Sequence, residues 1–183
     1  MPRPGRRWSR YWHWALAVPL AAVGLIAGGP TAASIPLLYL AIVTPELVRV
    51  DLRERRLPND LTVPGILIGV LAWGIRSLAA GAIDPVPVAA GLGYAGLLLV
   101  AALAGGMGLG DVKLGAALGF AAWVPFVAVF SPGIAFLAGG AASAFVVIRR
   151  GRGRSMAFGP YLLGGFWAAV VVVGVARAAS ALA

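Results

Sequence analysis

The chain has 183 residues, 61% of them hydrophobic and only 11% charged, with a net charge of +9, one His and no Cys. A soluble domain carries about 25% charged residues, so a mean hydropathy of +0.93 excludes an ordinary soluble fold and points to one all-α, polytopic integral membrane domain. Without Cys there is no disulfide, no Cys-ligated zinc and no thiol nucleophile, and basic residues placed in loops rather than on one face argue against a nucleic-acid partner.

Apolar runs long enough to cross hydrocarbon, about 20 residues each, occur at about 11–28, 35–51, 61–80, 86–104, 112–130, 132–148 and 158–180, which gives about seven transmembrane helices. The first follows a basic start, RPGRRWSR, and ends near Thr31, Ala32 and Ala33, a pattern shared with secretory signals. Its apolar run exceeds the 7–15 residues of a signal core, so it is read as a retained anchor. His13, between Trp12 and Trp14, fits an interfacial aromatic belt better than a ligand or base. Ser131, Pro132 and Gly133 are expected to form the turn between the fifth and sixth helices.

Orientation follows from the cations. With a cytoplasmic N-terminus, the inner segments hold Arg3, Arg6, Arg7, Arg10, Arg49, Arg53, Arg55, Arg56, Lys113, Arg149, Arg150, Arg152 and Arg154, and only Arg76 and Arg177 fall outside. The positive-inside rule then places the C-terminus outside. The basic excess is chiefly topological, with attraction to anionic membrane lipid as its companion.

Of the six acidic residues, Glu46 is expected to pair with Arg49 or Arg53, and Asp84 to be a solvated turn residue. Asp60 is the main rival for a catalytic place, and its position just before Leu61 suits an N-cap better. Asp51 and Asp111 differ from these because each stands at the inner end of a span beside irregular backbone: Asp51 before LRERRLPND, Asp111 after Gly105, Gly106, Gly108 and Gly110. A carboxylate near hydrocarbon is costly, and two that approach closely share one proton. One then activates water while its protonated partner supports a carbonyl oxygen, which is the chemistry of peptide hydrolysis. The glycines permit positive φ and close backbone approach, room for an extended peptide beside Asp111.

These residues carry a resemblance. Gly108-Leu109-Gly110-Asp111 resembles the GxGD motif of intramembrane aspartyl proteases. Asp51 with Leu57-Pro58-Asn59, Leu61-Thr62 and Pro64, and later Phe158-Gly159-Pro160-Tyr161-Leu162, resemble blocks of the type IV prepilin peptidases in the same order. Presenilin-type relatives place Tyr before the first acid and a PAL segment late; here Val50 precedes Asp51. The resemblance implies Asp51 and Asp111 as the catalytic pair. It also implies a site where Pro58, Asn59, Gly108, Gly110, Phe158, Gly159 and Pro160 meet a prepilin or pseudopilin-like precursor, whose basic leader is cut at the cytoplasmic face of the inner membrane.

Larger members carry a CxxC-bearing insert and also methylate the new N-terminus; with no Cys, this chain is expected to act as a peptidase without methyl transfer and without metal or organic cofactor. The six-helix family core would fall on residues 35–183, leaving 1–34 as a basic N-terminus and an added helix. Ala157 stands where the family often has Pro. Asn59 and Thr62 fit equally a cap of the third helix, and Lys113 is expected to snorkel to headgroups. The other readings are a GxGD protease with a different signal-like substrate, a proton-coupled transporter, which would place its acids nearer the midplane, and an inactive assembly subunit. The oligomeric state is left open by the sequence.

Overall fold

Apolar runs broken by Gly, Pro and charge form seven helices among the described residues, 8–150 and 156–183 of a computed structural model. They are α1 Trp8–Gly28, α2 Ser34–Glu54, α3 Asn59–Ala80, α4 Pro85–Leu103, α5 Leu109–Phe120, α6 Pro125–Arg150 and α7 Gly159–Leu182. The expected cations Arg3, Arg6, Arg7, Arg152 and Arg154 lie outside the described residues, as do the side chains of Arg10, Trp12, His13 and Arg150.

Four stretches are both long and apolar enough to span: α3, α4, residues Pro125–Phe145 of α6, and α7. The apolar part of α1, Trp14–Gly28, is shorter, and α2 has the length but ends in Glu46, Arg49, Asp51, Arg53 and Glu54. The fifth expected span is corrected. At 12 residues, α5 is about 18 Å long against roughly 30 Å of hydrocarbon. Its end, Phe120, packs on Gly69 halfway along α3 and on Gly91 of α4.

The turn expected at Ser131-Pro132-Gly133 is likewise corrected. Pro132 lies inside α6, and the chain breaks earlier, at residues 121–124. Buried helices tolerate Pro because neighbours satisfy the freed carbonyl; Pro45 and Pro64 also lie within helices. Ala121, Ala122 and Trp123 are all buried, so irregular backbone here is enclosed by protein, the condition under which a membrane helix can be interrupted.

Small residues set the spacing of the helices. A Cβ at Gly119 would stand 2.4 Å from the Ala90 carbonyl oxygen, and one at Gly165 would stand 2.6 Å from that of Ser131. Glycine at these contacts brings α5 onto α4 and α7 onto α6, the usual means of helix association in lipid. The core is made by Leu40, Leu47, Leu98, Leu114, Leu118, Leu163 and Phe166. α1 packs on α2 and α7 and adds Ala27 to the same core.

Two polar ties join α2 to α7. The Trp167 indole N–H donates to Thr44 Oγ1 at 3.0 Å, and the Thr44 hydroxyl donates to the Leu40 carbonyl at 2.6 Å. About two turns away, the Gly159 N–H donates to Asp51 Oδ2 at 2.9 Å. Both bonds are buried, so each resists replacement by lipid, which offers no partner.

Candidate active site

The last turn of α2, the 55–58 connection and the first turns of α5 and α7 meet at one end of the bundle. Leu57 is their common contact: a Cβ at Gly110 would stand 3.0 Å from Leu57 Cβ, and one at Gly159 would stand 3.4 Å from Leu57 Cδ2. Between them lies a cavity of about 250 Å³ lined by Asp51, Arg55, Arg56, Leu57, Gly108, Leu109, Gly110 and Asp111. Two acids 60 positions apart in the chain thus face one space.

Asp51 is 4% exposed, unusual for a carboxylate. Its position is set by Gly159, the first residue of α7, whose N–H it accepts. A helix N-terminus presents unpaired N–H groups and a positive dipole end, a natural seat for a carboxylate. Glycine is required there sterically, since a Cβ would stand 2.8 Å from Asp51 Oδ2. Arg55 takes the left-handed conformation, φ 53°, and its N–H closes the end of α2 on the Asp51 carbonyl at 2.8 Å. That turn swings Arg56 and Leu57 back towards the site.

Asp111 is the third residue of α5, outside the four spanning stretches. Its Oδ2 accepts the Gly108 N–H at 3.2 Å, closing the helix start on its own N-cap. Burial pushes its pKa from 3.8 up to about 6; the Gly108 hydrogen bond opposes this, and the charge on Asp51 adds to it. A carboxyl that keeps its proton up to about pH 6, with an acidic neighbour across a cavity, is equipped while protonated to donate a hydrogen bond to a carbonyl oxygen.

The glycines divide the two expected roles between them. Gly105 alone of the four has positive φ, 79°, and Gly108 is extended at φ −89° and ψ 154°. Gly110 serves close approach to Leu57.

Other expected site residues are distributed. Pro58 is the N-cap of α3, whereas Asp60 lies one position inside the helix start and is exposed, which corrects its capping role. Asn59 does not line the cavity; its Oδ1 accepts from Lys113 Nζ at 2.7 Å, so Lys113 ties α5 to α3 instead of simply snorkelling. Thr62 is buried, and its hydroxyl donates to the Pro58 carbonyl at 3.1 Å. Phe158 packs on Phe136 of α6 and on Tyr161, with ring centroids 5.5 and 6.1 Å apart, and Pro160 follows Gly159 in the first turn of α7. Of the FGP block only Gly159 touches an acid.

Glu46 is held by two N–H groups of Arg49, as expected. Asp84 does more than a turn residue: it caps α4 by accepting the Val86 N–H at 3.0 Å, and Arg76 stands 3.8 Å from its Oδ2. Arg55 and Arg56 were not singled out as site residues; their only sequence signal is adjacency to Asp51 before a Pro-Asn turn. Among the described residues no group of three or more His, Cys, Asp or Glu is placed to hold a metal ion.

A bundle of apolar helices with two acids on one end-facing cavity defines a polytopic integral membrane protein with a candidate carboxylate-pair centre. The chain belongs to the type IV leader peptidase family, whose model matches residues 37–148. It is 34% identical over 154 residues to the prepilin leader peptidase/N-methyltransferase of Burkholderia pseudomallei strain 1026b, and equally to that of strain K96243. The match covers 80% of this chain and 49% of each relative, so the chain spans about half the length of these curated relatives. No solved structure matches it significantly.

Proposed function

We propose that this protein is an aspartyl endopeptidase that removes the basic leader from prepilin or pseudopilin-like precursors at the cytoplasmic face of the inner membrane. The observation that carries the reading is the cavity shared by Asp51 and Asp111. In this mechanism the pair holds one proton. Asp111, with its raised pKa, donates to the scissile carbonyl oxygen, and Asp51, seated on Gly159, takes a proton from the attacking water. The tetrahedral intermediate collapses as the proton passes to the leaving amine. The extended backbone at Gly108 and the Gly110 approach border the space for the peptide; by the family resemblance Pro58, Asn59, Phe158, Gly159 and Pro160 would also meet the bound precursor.

The reading includes an N-terminus inside and a C-terminus outside, supported by the distribution of cations, with α5 and the 121–124 segment together making one crossing from the end that holds Asp111 to the end that holds Arg76. It also takes residues 35–183 as the family core, with 1–34 as an added basic segment and helix. Peptidase action without methyl transfer is supported by a sequence that supplies no Cys for paired CxxC motifs. The test is cleavage of a prepilin-like precursor by the intact chain reconstituted in vesicles, beside Asp51→Asn and Asp111→Asn. Each substitution should lower turnover by at least about a thousandfold with insertion intact; appreciable cleavage by either refutes the pair. If the unaltered chain cuts another signal-like peptide but no prepilin, the substrate reading fails and the acid pair stands.

A further inference from the structure

The end of the bundle away from the acids holds a second, partly open pocket. A cavity of about 60 Å³ is lined by Ala27, Ala33, Arg76, Trp123, Val127 and Arg177 among others. That is several times the ~10–15 Å³ that admits one water, so a single phosphate group fits.

The polar side chains among its lining residues, Arg76, Trp123 and Arg177, carry donors only. Arg76 and Arg177 both line it, the two cations that sequence placed on the face opposite the acids. Arg76 lies over the Trp123 ring at 5.1 Å, and its carboxylate contact, Asp84, is a loose 3.8 Å away. Arg177 donates one N–H to the Ala27 carbonyl and has no ion pair among the described residues. Asp84 is the lone acid at this end; the other five of the six occur at positions 46–60 and 111. The Trp123 indole N–H is buried without an acceptor, on a residue only 8% exposed. The cavity also borders Val124 and Val127, at the start of the 26-residue α6, where unpaired N–H groups and the positive dipole end favour an anion.

We propose that this cavity is a binding site for a phosphate group, held between the guanidiniums of Arg76 and Arg177 beside Trp123 at the N-terminus of α6. A guanidinium pairs with phosphate through two parallel N–H groups, and five donors on each leave several beyond those already engaged. The group arrives either as free phosphate or as an anionic lipid headgroup, since Arg177 is exposed.

The test uses the intact chain in an uncharged, phosphate-free detergent. Its thermal midpoint is followed during titration with inorganic phosphate, with a short-chain phosphatidylglycerol, and with a diacylglycerol of the same chain length. Phosphate or phosphatidylglycerol should raise the midpoint saturably, by about 5 °C at a hundred times half-saturation, while diacylglycerol does not. A rise with both assigns the site to the phosphate itself; a rise with the lipid alone assigns it to the headgroup. Arg76→Gln and Arg177→Gln should each move half-saturation at least about tenfold higher. Where either fails to fold, Arg76→Lys or Arg177→Lys, which keeps the charge but loses the two parallel N–H groups, gives the comparison and should weaken binding several-fold. No saturable rise with either phosphate compound in the unaltered chain, a rise matched by diacylglycerol, or half-saturation unchanged in the folded variants overturns the proposal.

Discussion

Replacing Gly159 by Ala isolates the seating of Asp51 from its charge. The backbone tolerates the change, because Gly159 is not among the positive-φ residues and alanine keeps the N–H that Asp51 accepts. What changes is space: the new Cβ would lie 2.8 Å from Oδ2 and 3.3 Å from Cγ of Asp51. Nonbonded carbon contacts are comfortable near 3.5 Å and above, so the carboxylate must retreat by roughly half an ångström or more. A misplacement of about 1 Å in a catalytic group costs on the order of a hundredfold in rate. The expected result is therefore a fall of about 10- to 100-fold in kcat/KM for leader cleavage in vesicles. Gly164→Ala is the matched control on α7, since its Cβ would meet nothing within 4 Å; it should leave turnover unchanged. Undiminished cleavage by a folded Gly159→Ala protein would refute the claim that α7 positions the acid.

Asp111, raised to about 6, should give kcat/KM a descending limb near pH 6 as its proton is lost, and Asp111→Asn should bring a stability gain. A carboxyl with a folded pKa above its unfolded value penalises the fold when ionised, and that penalty fades as pH falls from about 6 towards 3.8. At about 1.4 kcal/mol per pH unit, discounted for contact with the open cavity, Asp111→Asn should add on the order of 1–2 kcal/mol in detergent at pH 8 and progressively less below pH 6; an equal gain at both ends of that range contradicts it. Gly119→Ala should destabilise by about 1–3 kcal/mol in denaturant unfolding, because its Cβ would stand 2.4 Å from the Ala90 carbonyl oxygen; an unshifted midpoint would show that α4 and α5 separate freely.

Much of this architecture is written locally. α3, α4 and α7 are apolar runs bounded by Pro or Gly, and their limits follow from hydropathy and turn residues. Asp51 and Asp111 stand out because charge is scarce, and the structure places both at helix ends on one cavity. The break after α5 was overshadowed for a physical reason. Its residues, Ala121 to Val124, are apolar, and its one local signal, Pro125 at the first position of α6, is outweighed by the Ser-Pro-Gly run, whose Pro132 sits harmlessly in a helix whose neighbours satisfy the backbone. Lys113 and Asn59 look like separate polar residues until α3 and α5 are packed together. The need for glycine at 159 was equally hidden, since it arises from a contact across 108 positions.

That same contact bears on biosynthesis. Both acids leave the ribosome before Gly159 does, so a nascent chain inserting helix by helix carries its two carboxylates into the bilayer with Asp51 still lacking the backbone partner that orients it. Docking of α7 is therefore the step that seats Asp51. A product ending ahead of the FGP block would carry both acids yet lack the backbone N–H that Asp51 accepts.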